Sequence, residues 1–181
     1  MILLEGQTCY LRTLYEEDAG AFASLVLRNR EYWSVFEPRH QDSYYTVEVQ
    51  REKILESLHG MKNHLEFSFG IFDEITSELI GHISMYNIKR LPFSSAFIGY
   101  SIDRHHIGRG LASEAVQLVV TYGMEVVNLH RIEAYVSPRN VGSIRVLEKA
   151  KMQREGLLRK LLFINDKWED HYHYAIIEDD Y

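Results

Sequence analysis

Ile98-Gly99-Tyr100-Ser101-Ile102-Asp103-Arg104-His105-His106-Ile107-Gly108-Arg109-Gly110-Leu111-Ala112-Ser113-Glu114-Ala115 reads as a strand, a glycine loop and a helix. Gly108 and Gly110 let the backbone turn tightly and lie against a ligand with no Cβ in the way. A helix beginning at Leu111 leaves its first amide N–H groups unpaired and presents the positive end of its dipole. Loop and helix together predict an anion site suited to a phosphate or pyrophosphate, with Arg109 as an added charge. The segment lacks the Lys-Ser/Thr ending of a P-loop, and Ser113 stands where a dinucleotide fingerprint carries its third glycine. Two plain turn glycines would need no ligand; the strand before them and the long helix after them favour the cradle.

Outward from this segment, hydrophobic spacing predicts the remaining elements. Residues 66–73 alternate with period two and read as a strand, followed by strands at 79–88 and 96–102. Short hairpin-like connections make these three antiparallel neighbours, which is unlike the opening of a Rossmann domain. Leu111, Ala115, Leu118, Val119, Tyr122 and Val126 mark one face of the helix after the glycines. A strand at 132–136, a helix capped by Asn140, and two strands at 157–165 and 168–177 around Asn165-Asp166 complete the C-terminal half. At the other end, a strand at 7–14 precedes a helix carrying Phe22, Ala23, Val26 and Leu27, with Glu16, Glu17 and Asp18 at its anion-favouring start. A second helix at 47–61 has Val47, Ile54, Leu55 and Leu58 as its apolar stripe. The order β-α-α-β-β-β-α-β-α-β-β predicts a mixed sheet in an α+β domain.

The chain has 181 residues, 46% hydrophobic and 25% charged, which suits one globular domain over residues 1–181 and excludes wholesale disorder. Acidic residues outnumber basic ones, 26 to 20, for a net charge of −6. That balance argues against a general binder of nucleic-acid backbone and leaves room for a cationic substrate or one locally held anion. The single cysteine, Cys9, excludes an internal disulfide framework and a Cys-based zinc site. His105 with His106, and His171 with His173, lack metal-ligand spacing and read as solvated or packing histidines, so no metal is expected. No signal-peptide pattern and no long apolar span is present, which predicts a cytoplasmic protein with no membrane partner.

The residues of the central segment resemble the GNAT acetyl-CoA-dependent N-acetyltransferases. Their Gln/Arg-x-x-Gly-x-Gly/Ala signature is matched by His105-His106-Ile107-Gly108-Arg109-Gly110, with His105 departing from the usual Gln or Arg. Ile98-Gly99-Tyr100-Ser101-Ile102, Leu129-His130-Arg131-Ile132-Glu133-Ala134, the run Pro138-Arg139-Asn140-Val141-Gly142-Ser143, and the ending Glu155-Gly156, Trp168, Asp170 and His171 are similar to the RimJ/RimL type, the bacterial ribosomal-protein N-terminal acetyltransferases.

The resemblance implies that the strands at 96–102 and 132–136 splay apart to admit the pantetheine arm of acetyl-CoA. Tyr100, Ser101 and Ile102 would offer strand backbone to that arm. The amides of Ile107, Gly108, Arg109, Gly110, Leu111 and Ala112 would hold the pyrophosphate. An amide near Ile102 would polarise the thioester carbonyl, and a bound amine would attack it directly, with no covalent enzyme intermediate. Where many relatives carry a tyrosine acid, this chain has Leu147. Asn140 is then assigned to CoA anchoring as well as capping, and Ser143 to the sulfur side, as donor or relay. Glu133 and Tyr135, on one face of their strand, are candidates for the base that takes the amine proton. Trp33, Phe36 and Glu37 correspond to the segment covering the acceptor site, where the two aromatics would otherwise plug the core. The implied activity is acetylation of a primary amine, foremost a protein N-terminus such as that of a ribosomal protein. A small-amine acetyltransferase and a non-catalytic CoA-binding module are the alternatives, in a monomer or homodimer.

Overall fold

Side-chain oxygens and turn residues set the boundaries of the elements in the computed structural model, which describes residues 1–181. The chain runs β1 (Leu3–Glu5), β2 (Cys9–Arg12), α1 (Ala19–Arg28), α2 (Arg30–Trp33), α3 (Val47–Lys62), β3 (Phe67–Asp73), β4 (Leu79–Lys89), β5 (Ser95–Ile102), α4 (Leu111–Glu125), β6 (Arg131–Val136), α5 (Val141–Lys149), β7 (Gln153–Ile164) and β8 (Lys167–Ile177). The Thr46 hydroxyl accepts from the Val49 N–H and opens α3; Asn140 Oδ1 accepts from the Ser143 N–H and opens α5. Asn165 and Asp166 both take positive φ, as a two-residue hairpin between β7 and β8 requires.

One eight-stranded sheet results, in the order β1-β2-β3-β4-β5-β6-β8-β7. Every neighbouring pair is antiparallel except β5–β6, which is parallel and short. Its pairs are Ser95 with Arg131, Ala96 with Ile132 and Phe97 with Glu133, and nothing beyond. Past Phe97, β5 stays bonded to β4 but has left β6, so the sheet opens into a gap. This is the splayed mixed sheet that the resemblance implied.

Alternate residues divide the core between two faces. Leu11 and Ile71 join the larger cluster under α4 with Ile83, Met85, Ile98, Leu111, Val116, Val119 and Ile132. Their neighbours Tyr10 and Phe72 stack at 5.2 Å on the opposite face, under Leu25 and Phe22 of α1. α3 packs on α1 and β3.

Several local expectations change. The strand expected at 7–14 is β2, shortened to Cys9–Arg12, and an unanticipated β1 precedes it in a hairpin closed by the Gly6 N–H on the Cys9 carbonyl. The four-residue α2 was not anticipated, being too short to carry a periodic pattern. Residues 66–73 form the expected strand, β3, but it is covered on both sides, so Phe67, Phe69, Ile71 and Phe72 are all buried. In α3, Val47 and Leu55 face solvent while Gln50, Ile54 and Met61 are buried. The Gln50 amide nitrogen donates to the Tyr44 carbonyl, which satisfies the donor half of this buried amide. Val126 lies beyond the end of α4 and is exposed. Glu16, Glu17 and Asp18 form a 3-10 turn before α1, and Asp18 is held by both terminal nitrogens of Arg12 at 2.8 Å.

Candidate active site

The open end of β5 supplies backbone to the gap. The Asp103 N–H bonds to the Ile80 carbonyl of β4, so strand alternation turns Ser101 toward β4 and Tyr100 and Ile102 toward the gap. Tyr100 and Ile102 therefore offer free-edge backbone, whereas Ser101 contributes its side chain only. The Ile102 carbonyl is already occupied: the Trp33 indole N–H donates to it at 2.9 Å. Two further bonds tie the α1–α2 segment to the loop after β5. Arg28 Nε reaches Asp103 Oδ2 at 2.8 Å, and the Arg104 N–H donates to Asn29 Oδ1 at 2.9 Å. The glycine loop thus leaves β5 from a fixed point.

Gly108 and Gly110 have φ of 76° and 80°, in the region only glycine enters without strain, and a Cβ on either would meet open space. Their chain reversal aims the loop and the first turn of α4 into a cavity of about 430 Å³, within the usual range for small-molecule sites. The first intrahelical bond of α4 is Glu114 N–H to Gly110 carbonyl. The amides from residue 107 to residue 113 precede it and make no hydrogen bond within the chain, which leaves them for an anion. Ile107, Gly108, Gly110, Leu111 and Ala112 line the cavity, joined by Ser113 and His106. Arg109 does not. Its guanidinium turns outward to the buried carboxylate of Asp73 at 2.9 Å, an ion pair that sequence spacing does not reveal.

The first turn of α4 is clamped from behind. Glu114 accepts from the amides of Gln7, Thr8 and Cys9 and from the Thr8 hydroxyl. Although partial burial opposes it, that set of donors holds the Glu114 carboxyl down at about 2. The neighbouring Cys9 thiol is pushed up to about 12 by burial and by Glu114, so it is an inert packing group.

The α5 wall carries Asn140 and Ser143. Tyr100 Oη lies 2.6 Å from Ser143 Oγ. Burial raises the phenol of Tyr100 well above its ordinary range, so it stays protonated and able to donate. Donation from Tyr100 leaves the Ser143 hydroxyl proton free to point into the cavity. The same wall brings Arg145 and Lys149 into the cavity. Neither was anticipated, although their i, i+4 spacing places both on one helical face.

The α2 wall carries Tyr32, Trp33, Phe36 and Glu37. Trp33 is half-buried with its indole committed to β5, and Phe36 lies beneath the guanidinium of Arg139 at 5.4 Å. Ser101 Oγ donates to Glu37 Oε1 at 2.6 Å. The cavity is therefore bipolar, with cations and free amides around α4 and α5 and one carboxylate beside α2.

Glu133 and Tyr135 are not among the residues lining this cavity. Glu133 is held by His173 at 2.8 Å and Arg131 at 3.1 Å, and Tyr135 packs on Phe97 at 4.7 Å. Both lie on the sheet face that carries Phe97, away from the cavity. No group of three or more His, Cys, Asp or Glu is arranged to hold a metal ion, and no helix is long and apolar enough to cross a membrane.

Comparison with known proteins agrees with this geometry. The acetyltransferase (GNAT) domain family matches residues 9–153. The probable N-acetyltransferase YjcK of Bacillus subtilis is 45% identical over 98% of both chains. The crystal structure of a ribosomal-protein-S5-alanine acetyltransferase from Vibrio fischeri superposes with a TM-score of 0.94 at 33% identity, covering 99% of this chain and 98% of that one. A Mycobacterium smegmatis RimJ in complex with CoA-disulfide gives 0.90 at 27% identity, covering 94% and 82%.

Proposed function

Because this chain belongs to the GNAT acetyltransferase family and is an N-acetyltransferase that uses acetyl-CoA, we propose that its acceptor is a protein N-terminal amino group, of the kind borne by a ribosomal protein. The observation that carries this reading is the single bipolar cavity, running from the amides of residues 107–113 to Glu37 past the open edge of β5. An anionic cosubstrate suits the first end and a cationic amine the second. The likeness to the S5-alanine acetyltransferase supports a protein acceptor.

Bound acetyl-CoA supplies an activated acyl thioester. The chain's residues do the rest. Amides of the loop and of the first turn of α4 hold the pyrophosphate, helped by Arg145 and Lys149. Free-edge backbone at Tyr100 and Ile102 orients the arm, and a preorganised N–H there stabilises negative charge on the acyl oxygen. Ser143, backed by Tyr100, hydrogen-bonds the departing sulfur.

A panel of N-terminal peptides, polyamines and aminoglycosides, incubated with acetyl-CoA and followed by mass spectrometry, tests the acceptor class. Acetylation of a peptide α-amine is expected. Turnover confined to polyamines or aminoglycosides would overturn the reading, as would CoA binding without any product.

A further inference from the structure

We infer that Glu37 is the base of the reaction, taking the proton from the incoming ammonium on the face of β5 opposite Ser143. The inference rests on the reading of the cavity as an acetyl-CoA and amine site. It deepens that reading by placing a catalytic carboxylate where the sequence offered only a binding residue.

Three observations carry it. Glu37 is the one carboxylate among the residues lining the cavity. It is also held by the reacting strand itself: Tyr100 and Ser101 are consecutive and point to opposite faces, Tyr100 reaching Ser143 at 2.6 Å and Ser101 reaching Glu37 at 2.6 Å. A thioester lying along that edge has the group for its sulfur on one side and a carboxylate on the other, the arrangement an attacking amine needs. Finally, Glu37 is half-buried and free of any ion pair; Ser101 bonds only Oε1, so Oε2 remains for the acceptor.

The surroundings suit a base. Burial raises the Glu37 carboxyl above its ordinary range, only partly offset by the Ser101 hydrogen bond, which brings it toward the working pH. Glu37 also lines a small adjoining pocket whose titratable groups are Arg30 of α2, His82 of β4, and His40, Tyr44 and Tyr45 of the α2–α3 connection. Arg30 is paired with Asp42 at 2.9 Å. Burial pushes His82 down to about 4 and His40 down as well, while Tyr44 is raised, so each favours its neutral form. Across the main cavity stand Tyr32, Tyr100, His106, Arg145 and Lys149.

The step balances. One proton passes from the ammonium nitrogen to Glu37 and on to solvent. The freed lone pair forms the C–N bond, the C–S bond breaks with its pair going to sulfur, and a second nitrogen proton is lost to the departing thiolate by way of Ser143 or solvent. Amide, CoA thiol and one released proton result.

The test compares wild type with Glu37→Gln, Glu37→Asp and Ser101→Ala, measuring kcat and KM against pH on the best acceptor, and CoA-induced thermal stabilisation. Glu37→Gln should lose about 10²- to 10⁴-fold in kcat and lose the acid limb of the profile, while CoA stabilises it as it does wild type. Glu37→Asp should keep an acid limb. Ser101→Ala should move that limb to higher pH, because it removes a hydrogen bond favouring the carboxylate; this arm also decides the matter if Glu37→Gln fails to fold. Glu37→Gln with wild-type kcat and limb would overturn the inference, as would a rise in acceptor KM alone, which would make Glu37 an ammonium anchor. A wild-type protein that binds CoA but acetylates no amine would overturn the proposed function and this role together.

Discussion

Tyr100 on β5 and Ser143 on the first turn of α5, 43 residues apart in sequence, meet hydroxyl to hydroxyl at 2.6 Å. The contact fixes the Ser143 hydroxyl in the wall of the cavity. Tyr100→Phe and Ser143→Ala should each lower kcat by about 10- to 100-fold, the worth of a hydrogen bond to a developing charge, with CoA affinity little altered. Because the two act as a unit, the double variant should be no slower than the worse single one. Additive losses in steady-state kinetics would separate them.

Gly110 opens α4 at φ 80°, with empty cavity where a Cβ would stand. Gly110→Ala should cost about 1–3 kcal/mol of backbone strain and abolish the rise in Tm that CoA produces. Calorimetry that found undiminished CoA affinity would remove the amide cradle from the account.

Arg145 and Lys149 put two cations into the cavity of a chain whose net charge is −6. Charge reversal at both, Arg145→Glu with Lys149→Glu, should weaken CoA at least 10-fold at low salt, and the deficit should shrink as ionic strength rises. Acceptor KM should stay close to that of wild type. Isothermal titration at two salt concentrations checks the first pair of outcomes.

Glu114 links the β1–β2 turn to α4, with its carboxyl held down at about 2 in the fold against 4.5 for an ordinary glutamate. A folded value below the unfolded one contributes stability that is fully present above pH 4.5 and lost as pH falls toward 2. Tm should therefore fall between pH 5 and pH 2.5. Glu114→Gln should start lower and fall less steeply; Asp18, Asp73, Asp103 and Glu155, also depressed, keep part of the slope. Parallel Tm-against-pH curves for the two proteins would contradict this clamp.

Much of the site was legible because it is local. Gly108, Gly110 and the start of α4 lie within a few consecutive residues, and an N-cap such as Asn140 bonds three positions ahead. Backbone conformation and helix-end chemistry are encoded at that range. The antiparallel pairing of β3, β4 and β5 followed from hairpin turns and hydrophobic period for the same reason.

What the sequence determined by itself was the strand, the glycine reversal, the unpaired amides and the capped helix that faces them. Only the tertiary structure decided which charged side chains point into the cavity. It joined Glu37 to Ser101 across 64 residues, sent Arg109 away to Asp73, left Glu133 with His173 and Arg131, and brought in Arg145 and Lys149. A side chain's partner depends on which elements the sheet order makes neighbours and on which face each residue takes. Both are set by long-range packing, where a one-residue change of register reverses every direction.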